Sequence, residues 1–309
     1  MLSEIEPKLR TDLLQNNSII LIKNDDQLIT FTGINHSLLS SLTAAVILCE
    51  KKHCTNKFSN SVQDRIVLCL CKLRLNLPFS CLAVLFGLNR KSCAKNVYYM
   101  IQLLSTILKK VIYWPSKEEI MKSMPKCFKN FKQTRIVLDC TEIPVERPTC
   151  LKCRLKLYSH YKGCETVKLL IGVAPSGLIT FLSEAYGGRA SDKTIFNQSK
   201  IIDKMDATRD AIMVDKGFNI EMECLENNVQ LIIPPKLGKN IQLNADEVAH
   251  TNKIAAARVH VERAIQRFKM FKIVKCKISW TLISYIDDIC TIITGLTNLK
   301  NPILADDIF

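Results

Sequence analysis

The stretch Arg135-Ile-Val-Leu-Asp-Cys140 carries an aliphatic run straight into an aspartate, and Ala211-Ile-Met-Val-Asp-Lys-Gly217 repeats the plan. A short apolar run rich in branched residues that stops at a carboxylate reads as a strand buried on both faces. Asp139 and Asp215 are therefore expected at strand ends. A third stretch, Arg258-Val-His-Val-Glu-Arg263, follows a helical period: Ile254, Ala257, Val261, Ile265 and Phe268 form one apolar stripe, and Glu262 sits at its border. Working outward, further short strands and helical segments follow.

Three carboxylates so placed are suited to holding two divalent ions roughly 3.5 to 4 Å apart, an arrangement that activates water and stabilises a departing oxygen in phosphodiester chemistry. Mg2+ suits an all-oxygen set, with Mn2+ as its substitute. Each residue also has a plainer reading. An aspartate after an apolar run often caps a turn or helix, and a helical glutamate is often solvated or ion-paired.

Six segments appear in order around these residues: Asp139-Cys-Thr-Glu-Ile-Pro144, Tyr158-Ser-His-Tyr-Lys-Gly163, Gly172-Val-Ala-Pro-Ser-Gly177, Gly187-Gly-Arg-Ala-Ser-Asp-Lys193, Val214-Asp-Lys-Gly-Phe218 and Val261-Glu-Arg263. Together they resemble the DDE endonuclease domain of Harbinger-like transposases, the DDE transposase type 4 family, over residues 134–300. The resemblance implies an α/β, RNase H-like fold, a mixed sheet with flanking helices, and assigns metal binding and catalysis to Asp139, Asp215 and Glu262. It also implies double-stranded DNA as substrate, work in the nucleus, and a homo-oligomer or an accessory DNA-binding protein as partner. Lys216 stands where relatives often carry arginine.

The formal charge of +14 is unevenly spread. Residues 51–135 hold 17 Lys and Arg against 3 Asp and Glu, and the flanking parts nearly cancel. A positive block of this kind is drawn to phosphate backbones, with strongly salt-dependent binding.

The same block has a legible helical plan over residues 51–112. Asn60 or Ser61 caps a helix to about Leu73, Asn76-Leu-Pro78 breaks it, and Phe79–Phe86 forms a short helix. Gly87-Leu-Asn89 turns into a long helix over 90–110. This is a helix-turn-helix, whose last helix enters the major groove. The residues expected nearest DNA are Asn89, Arg90, Lys91, Ser92 and Lys95. Residues 113–133, with Trp114-Pro115, Pro125 and many lysines, read as a basic connector.

Other features are less decisive. Residues 1–50 carry no assignable role and suggest a hairpin around Asn24-Asp25-Asp26, then a helix from Ser37. The 14 cysteines are expected to be reduced thiols of an intracellular protein, since the chain opens without a signal core and is too large to need a disulfide framework. Cys49, His53 and Cys54 do not make a four-ligand zinc pattern. Cys150 and Cys153 have a zinc-knuckle spacing with His160 and Cys164 downstream, a weak signal. Ser37–Cys49 is too short to span a bilayer, so no membrane role is expected.

Within the α/β part, Glu142-Ile-Pro-Val145 suggests a second strand, with Glu142 an extra acid or an edge residue. Pro175-Ser-Gly177 suggests a hairpin, and Asp192 is either a rival acid or a helix cap. Lys162, Lys168, Lys236 and Lys239 are candidate DNA contacts, and Arg258 is spaced to pair with Glu262. The function expected is a metal-dependent DNA endonuclease of transposase type. The alternatives are a DNA-binding protein that keeps the fold without catalysis, and an RNase H-like enzyme acting on RNA.

Overall fold

The computed structural model describes residues 22, 24–53, 58–235 and 245–300. They divide into two compact units. The first runs to Lys109 and takes in Met270–Cys276 and Asp288–Ile292; the second comprises Lys110–Lys269, Lys277–Asp287 and the residues from Ile293 on.

The first unit is helical: α1 (Asp25–Thr32), α2 (His36–His53), α3 (Val62–Leu75), α4 (Phe79–Leu85) and α5 (Arg90–Leu108). The expected hairpin around Asn24 is not what forms. Asn24 accepts from the Gln27 N–H, Asp25 and Asp26 fill the first turn, and Gly33 ends α1 at φ 84°. Short polar side chains favour helix N-termini as much as turns, and two acids there also suit the helix dipole. Glu50 on α2 forks onto Arg65 of α3 at 2.6 and 2.9 Å, a bidentate pair that fixes one helix against the other.

The helix-turn-helix plan holds closely. Ser61 caps α3, Asn76 closes it at φ 53°, and Gly87 turns at φ 59°. Asn89 then accepts from the Ser92 N–H at 2.8 Å to start α5. No single described helix is long and apolar enough to cross a membrane.

The second unit is built on a seven-stranded sheet. Its elements are α6 (Lys117–Lys122), β1 (Thr134–Pro144), α7 (Leu151–Leu157), β2 (Tyr158–Ser159), β3 (Cys164–Val173), β4 (Ile179–Leu182), β5 (Tyr186–Gly187) and α8 (Asp192–Ser199). After these come β6 (Ala211–Met213), α9 (Glu221–Glu226), β7 (Gln230–Ile232), α10 (Ala245–Phe268), α11 (Lys272–Lys275) and α12 (Ile286–Asn298), of which α11 and the Asp288–Ile292 part of α12 belong to the first unit. The main path is β2-β3-β1-β6-β7, with β4 and β5 also on β3. β1 and β3 are antiparallel, whereas β1, β6 and β7 are parallel.

Strand periodicity divides the core in two. Val137, Ile171 and Met213 face one side and pack against Ile254, Ala257, Val261 and Ala264 of α10. Ile136, Leu138, Leu170 and Ile212 face the other and pack against Ile195 and Phe196 of α8 and Cys224 of α9. β1 is one continuous strand through Pro144. Glu142 thus lies in a central strand, paired in register with Lys168 of β3, rather than in a second strand or at an edge.

Residues 113–133 are woven into this unit. Ser116 and Glu119 form a capping box at α6, and Phe128 and Phe131 are buried against the α10 face.

Candidate active site

The register of β1 against β6 sets the site. Val137 lies opposite Met213, and Asp139 and Asp215 each follow two residues later, so they come level; Asp215 lies just past the end of β6, whereas Asp139, expected at a strand end, lies inside β1, which pairs with β3 as far as Pro144. Two residues along a strand returns to the same face. Both aspartates therefore belong to the side covered by α10, the helix that carries Arg258 and Glu262.

Their electrostatics differ. Burial pushes the Asp139 carboxyl up to about 6; the Arg258 charge and the Cys140 N–H pull it down, and Asp215 and Asp192 push it further up. Asp215 is more open, its side chain 58% exposed against 13% for Arg258. Arg258 donates from Nη1 to Asp215 Oδ1 at 2.9 Å, and the Lys216 N–H donates to the same oxygen at 2.7 Å.

Helical spacing places Arg258 beside Glu262; it reaches across to Asp215 instead, because a buried guanidinium gains more from a carboxylate facing it than from one on its own exposed helix surface. Glu262 is exposed one turn further along α10. Among the described residues, no three His, Cys, Asp or Glu side chains form a group that could hold a metal ion. Asp139 and Asp215 are thus brought together, and Glu262 shares their helix-covered side without joining them.

A separate polar cluster lies on the opposite face. Lys168 Nζ stands 3.2 Å from Asp192 and 3.6 Å from Glu142, and Thr166 donates to Glu142 at 2.7 Å. Burial works against the Lys168 ammonium, and Asp192 and Glu142 more than offset it, holding its pKa above the usual value. Asp192 opens α8, but Ser191 is the cap. Both rival acids are committed to Lys168.

A family model described as "DDE superfamily endonuclease" matches residues 138–298. The chain belongs to the DDE superfamily endonucleases. A second model, the helix-turn-helix of DDE superfamily endonuclease, matches residues 61–110. No curated protein and no solved structure shows a significant match.

In this DDE endonuclease, the mixed sheet with flanking helices and the N-terminal helix-turn-helix are the expected fold class. Arg90, Lys91 and Lys95 are exposed on the first turns of α5, and Lys95 Nζ lies 5.7 Å from the Phe58 ring centroid. Asn89 and Ser92 are tied to each other as cap and first-turn donor. The described cysteines are free thiols. Cys150 and Cys153 hydrogen-bond each other, with no third ligand among the described residues. Lys236, Lys239 and Cys54 lie outside the described residues.

Sequence reasoning places Arg258 and Lys269 on the basic flank of α10, Arg258 as the partner of Glu262 or both as phosphate contacts near the cleft, without showing that Arg258 faces Asp215. Lys269, its pKa lowered by burial and by Lys162, lies within the fields of Asp139 and Glu142. Its signal is weak, since a lysine after an amphipathic helix usually points to solvent.

Proposed function

We propose that this DDE endonuclease is a metal-dependent DNA nuclease of the Harbinger-like transposase type, in which Asp139, Asp215 and Glu262 hold the metal and carry catalysis. The observation that supports this most is the levelling of Asp139 and Asp215 on the α10 side by the 137–213 register. The donor set fits: oxygen ligands alone, with Asp215 close enough for its charge to act on Asp139, suit a hard divalent ion such as Mg2+ or Mn2+. When bound, two such ions supply Lewis acidity and lower the pKa of water.

The chain's own residues do the rest. Asp139 is held inside the central strand β1, and Asp215 sits on the turn that follows β6. With a metal bound, Glu262 would complete the set that holds it, and Arg258 would pass from Asp215 to a phosphate oxygen, which a guanidinium binds well. Lys269 adds positive charge beside Asp139. In the same reading, residues 134–300 are the nuclease, 51–112 the duplex reader through Asn89, Arg90, Lys91, Ser92 and Lys95, and 113–133 a link that packs into the nuclease core through Phe128 and Phe131. Residues 1–50 take no assigned role, and the protein works in the nucleus, as a homo-oligomer or with an accessory DNA-binding partner.

The test is Mg2+-dependent nicking of plasmid DNA by Asp139→Ala, Asp215→Ala and Glu262→Ala. Each is expected to lose nicking while keeping duplex affinity; full nicking by any one removes that residue from the mechanism. One observation favours a second reading, a DNA-binding protein without catalysis of its own: the guanidinium of Arg258 already occupies Asp215. Duplex binding without nicking by the unaltered chain, in Mg2+ and in Mn2+ alike, would select it.

A further inference from the structure

Outside the carboxylate site, the second unit has a pocket of about 410 Å³ where α7 meets the β2–β3 edge. Three arginines line it, Arg147, Arg154 and Arg189, with Tyr158, His160 and Glu165. Glu165 pairs with Arg147 at 3.2 Å. Arg154 donates from Nε to the Pro148 carbonyl at 2.6 Å, which aims its guanidinium. Among the described residues no carboxylate pairs with Arg154 or Arg189, so the pocket keeps a surplus of positive charge.

Arg189 is held in place by its backbone. A Cβ on Gly187 would strike the Lys156 carbonyl, and one on Gly188 would strike Thr166 Oγ1 and the Leu157 carbonyl. The chain before Arg189 therefore presses directly on α7, and the Arg189 N–H bonds the Lys156 carbonyl at 3.3 Å.

The aromatic groups supply the other half. Tyr158 is 40% exposed and meets His160 edge to face, with ring centroids 5.4 Å apart at 86°. Next to it Tyr161 is 85% exposed, with Lys162 Nζ 4.6 Å from its ring centroid. Exposed aromatic faces between cations are the means by which single strands are held, bases stacking and phosphates pairing. A pocket of this volume accommodates a nucleotide-sized group rather than a duplex.

Its position suits the same reaction. The Val145 N–H bonds the Glu165 carbonyl, so the pocket opens just past the end of β1, six residues beyond Asp139, roughly 20 Å at about 3.3 Å per residue. Lys162, next to the pocket's Gly163 in the chain, and Asp139 both act on the charge of Lys269.

We propose that this pocket binds one nucleotide of a single-stranded DNA segment, the phosphate on Arg154 and Arg189 and the base against Tyr158. The site rests on the reading of the chain as a DNA enzyme, and holds the strand that cleavage frees from its complement.

The test uses the full chain in EDTA, with fluorescence anisotropy on a labelled oligo-dT and on a duplex in parallel. Arg154→Ala with Arg189→Ala should weaken oligo-dT binding roughly tenfold and flatten its log–log salt slope by about 0.7, the share of the one phosphate left without its arginines. Duplex affinity should stay the same. Tyr158→Ala should weaken oligo-dT binding by at least about fivefold through the missing stacking surface. Arg189→Ala alone, at an exposed position, guards against a folding defect in the double variant.

Equal losses on both DNAs, or no loss on Tyr158→Ala, overturn the proposal. Because the readout is binding without metal, a chain that never nicks DNA yet shows the selective loss would sink the nuclease reading and leave the pocket standing.

Discussion

Arg258 Nη1 lies 2.9 Å from Asp215 Oδ1 and its charge also reaches Asp139, so one helix side chain acts on both acids, one inside β1 and one just past β6. A guanidinium there competes with any cation for Asp215. With Asp215 more than half exposed, the pair contributes about 0.5–1 kcal/mol. Arg258→Gln should therefore tighten Mn2+ binding roughly two- to fivefold, read as free Mn2+ by electron paramagnetic resonance, while slowing nicking because the phosphate has no guanidinium to receive it. Unchanged Mn2+ affinity would mean that the arginine and the metal do not share Asp215.

Asp139 gives a pH signature in the metal-free protein. Its folded pKa of about 6 lies above the usual 3.8, so the folded state holds the proton more tightly than the unfolded chain does. The stability this contributes is present below about pH 4 and is lost as pH rises through 6. Asp139→Asn lacks that loss. In EDTA it should be more stable than the unaltered chain above pH 6, by up to roughly 3 kcal/mol, and the difference should vanish near pH 4. Urea unfolding across pH 4–8 measures it.

The duplex reader can be separated from the nuclease. Arg90→Ala with Lys91→Ala removes exposed charge from the first turn of α5. Each phosphate no longer neutralised should reduce the log–log salt slope of duplex binding by about 0.9. Nicking at saturating DNA should persist, because no carboxylate has changed. An unaltered slope would move the duplex off α5.

Glu142 tests how far the acidic set extends. Its side chain is 7% exposed and engaged by Thr166 and Lys168, so Glu142→Gln should nick at a rate comparable to the unaltered chain. Lys168→Met should instead cost about 3 kcal/mol in urea unfolding, the penalty for leaving a buried carboxylate without its cation. A Glu142→Gln variant without nicking activity would enlarge the catalytic group.

Those contrasts trace how much of the molecule can be read from its residues. The apolar runs before Asp139 and Asp215, the stripe on α10, the Gly177 turn and the Asn89 cap are all legible, because each is a local pattern with a local cause. What stays hidden depends on partners distant in the chain. Asn24-Asp25-Asp26 fits a turn and a helix start equally well, and α1 forms where the local residues suggest a hairpin. The basic stretch 113–133 has the composition of a linker, and only the packing of Phe128 and Phe131 on α10 makes it part of the core. Nothing in the spacing of Arg258 and Glu262 reveals that the arginine faces Asp215.

The most direct measurement is a crystal structure of the full chain soaked in Mn2+, with the ions located by anomalous scattering. Two Mn2+ sites bound by Asp139, Asp215 and Glu262, with Arg258 released from Asp215, are the predicted result. Mn2+ bound elsewhere, or at Asp139 and Asp215 with Glu262 turned away, would contradict the three-carboxylate site.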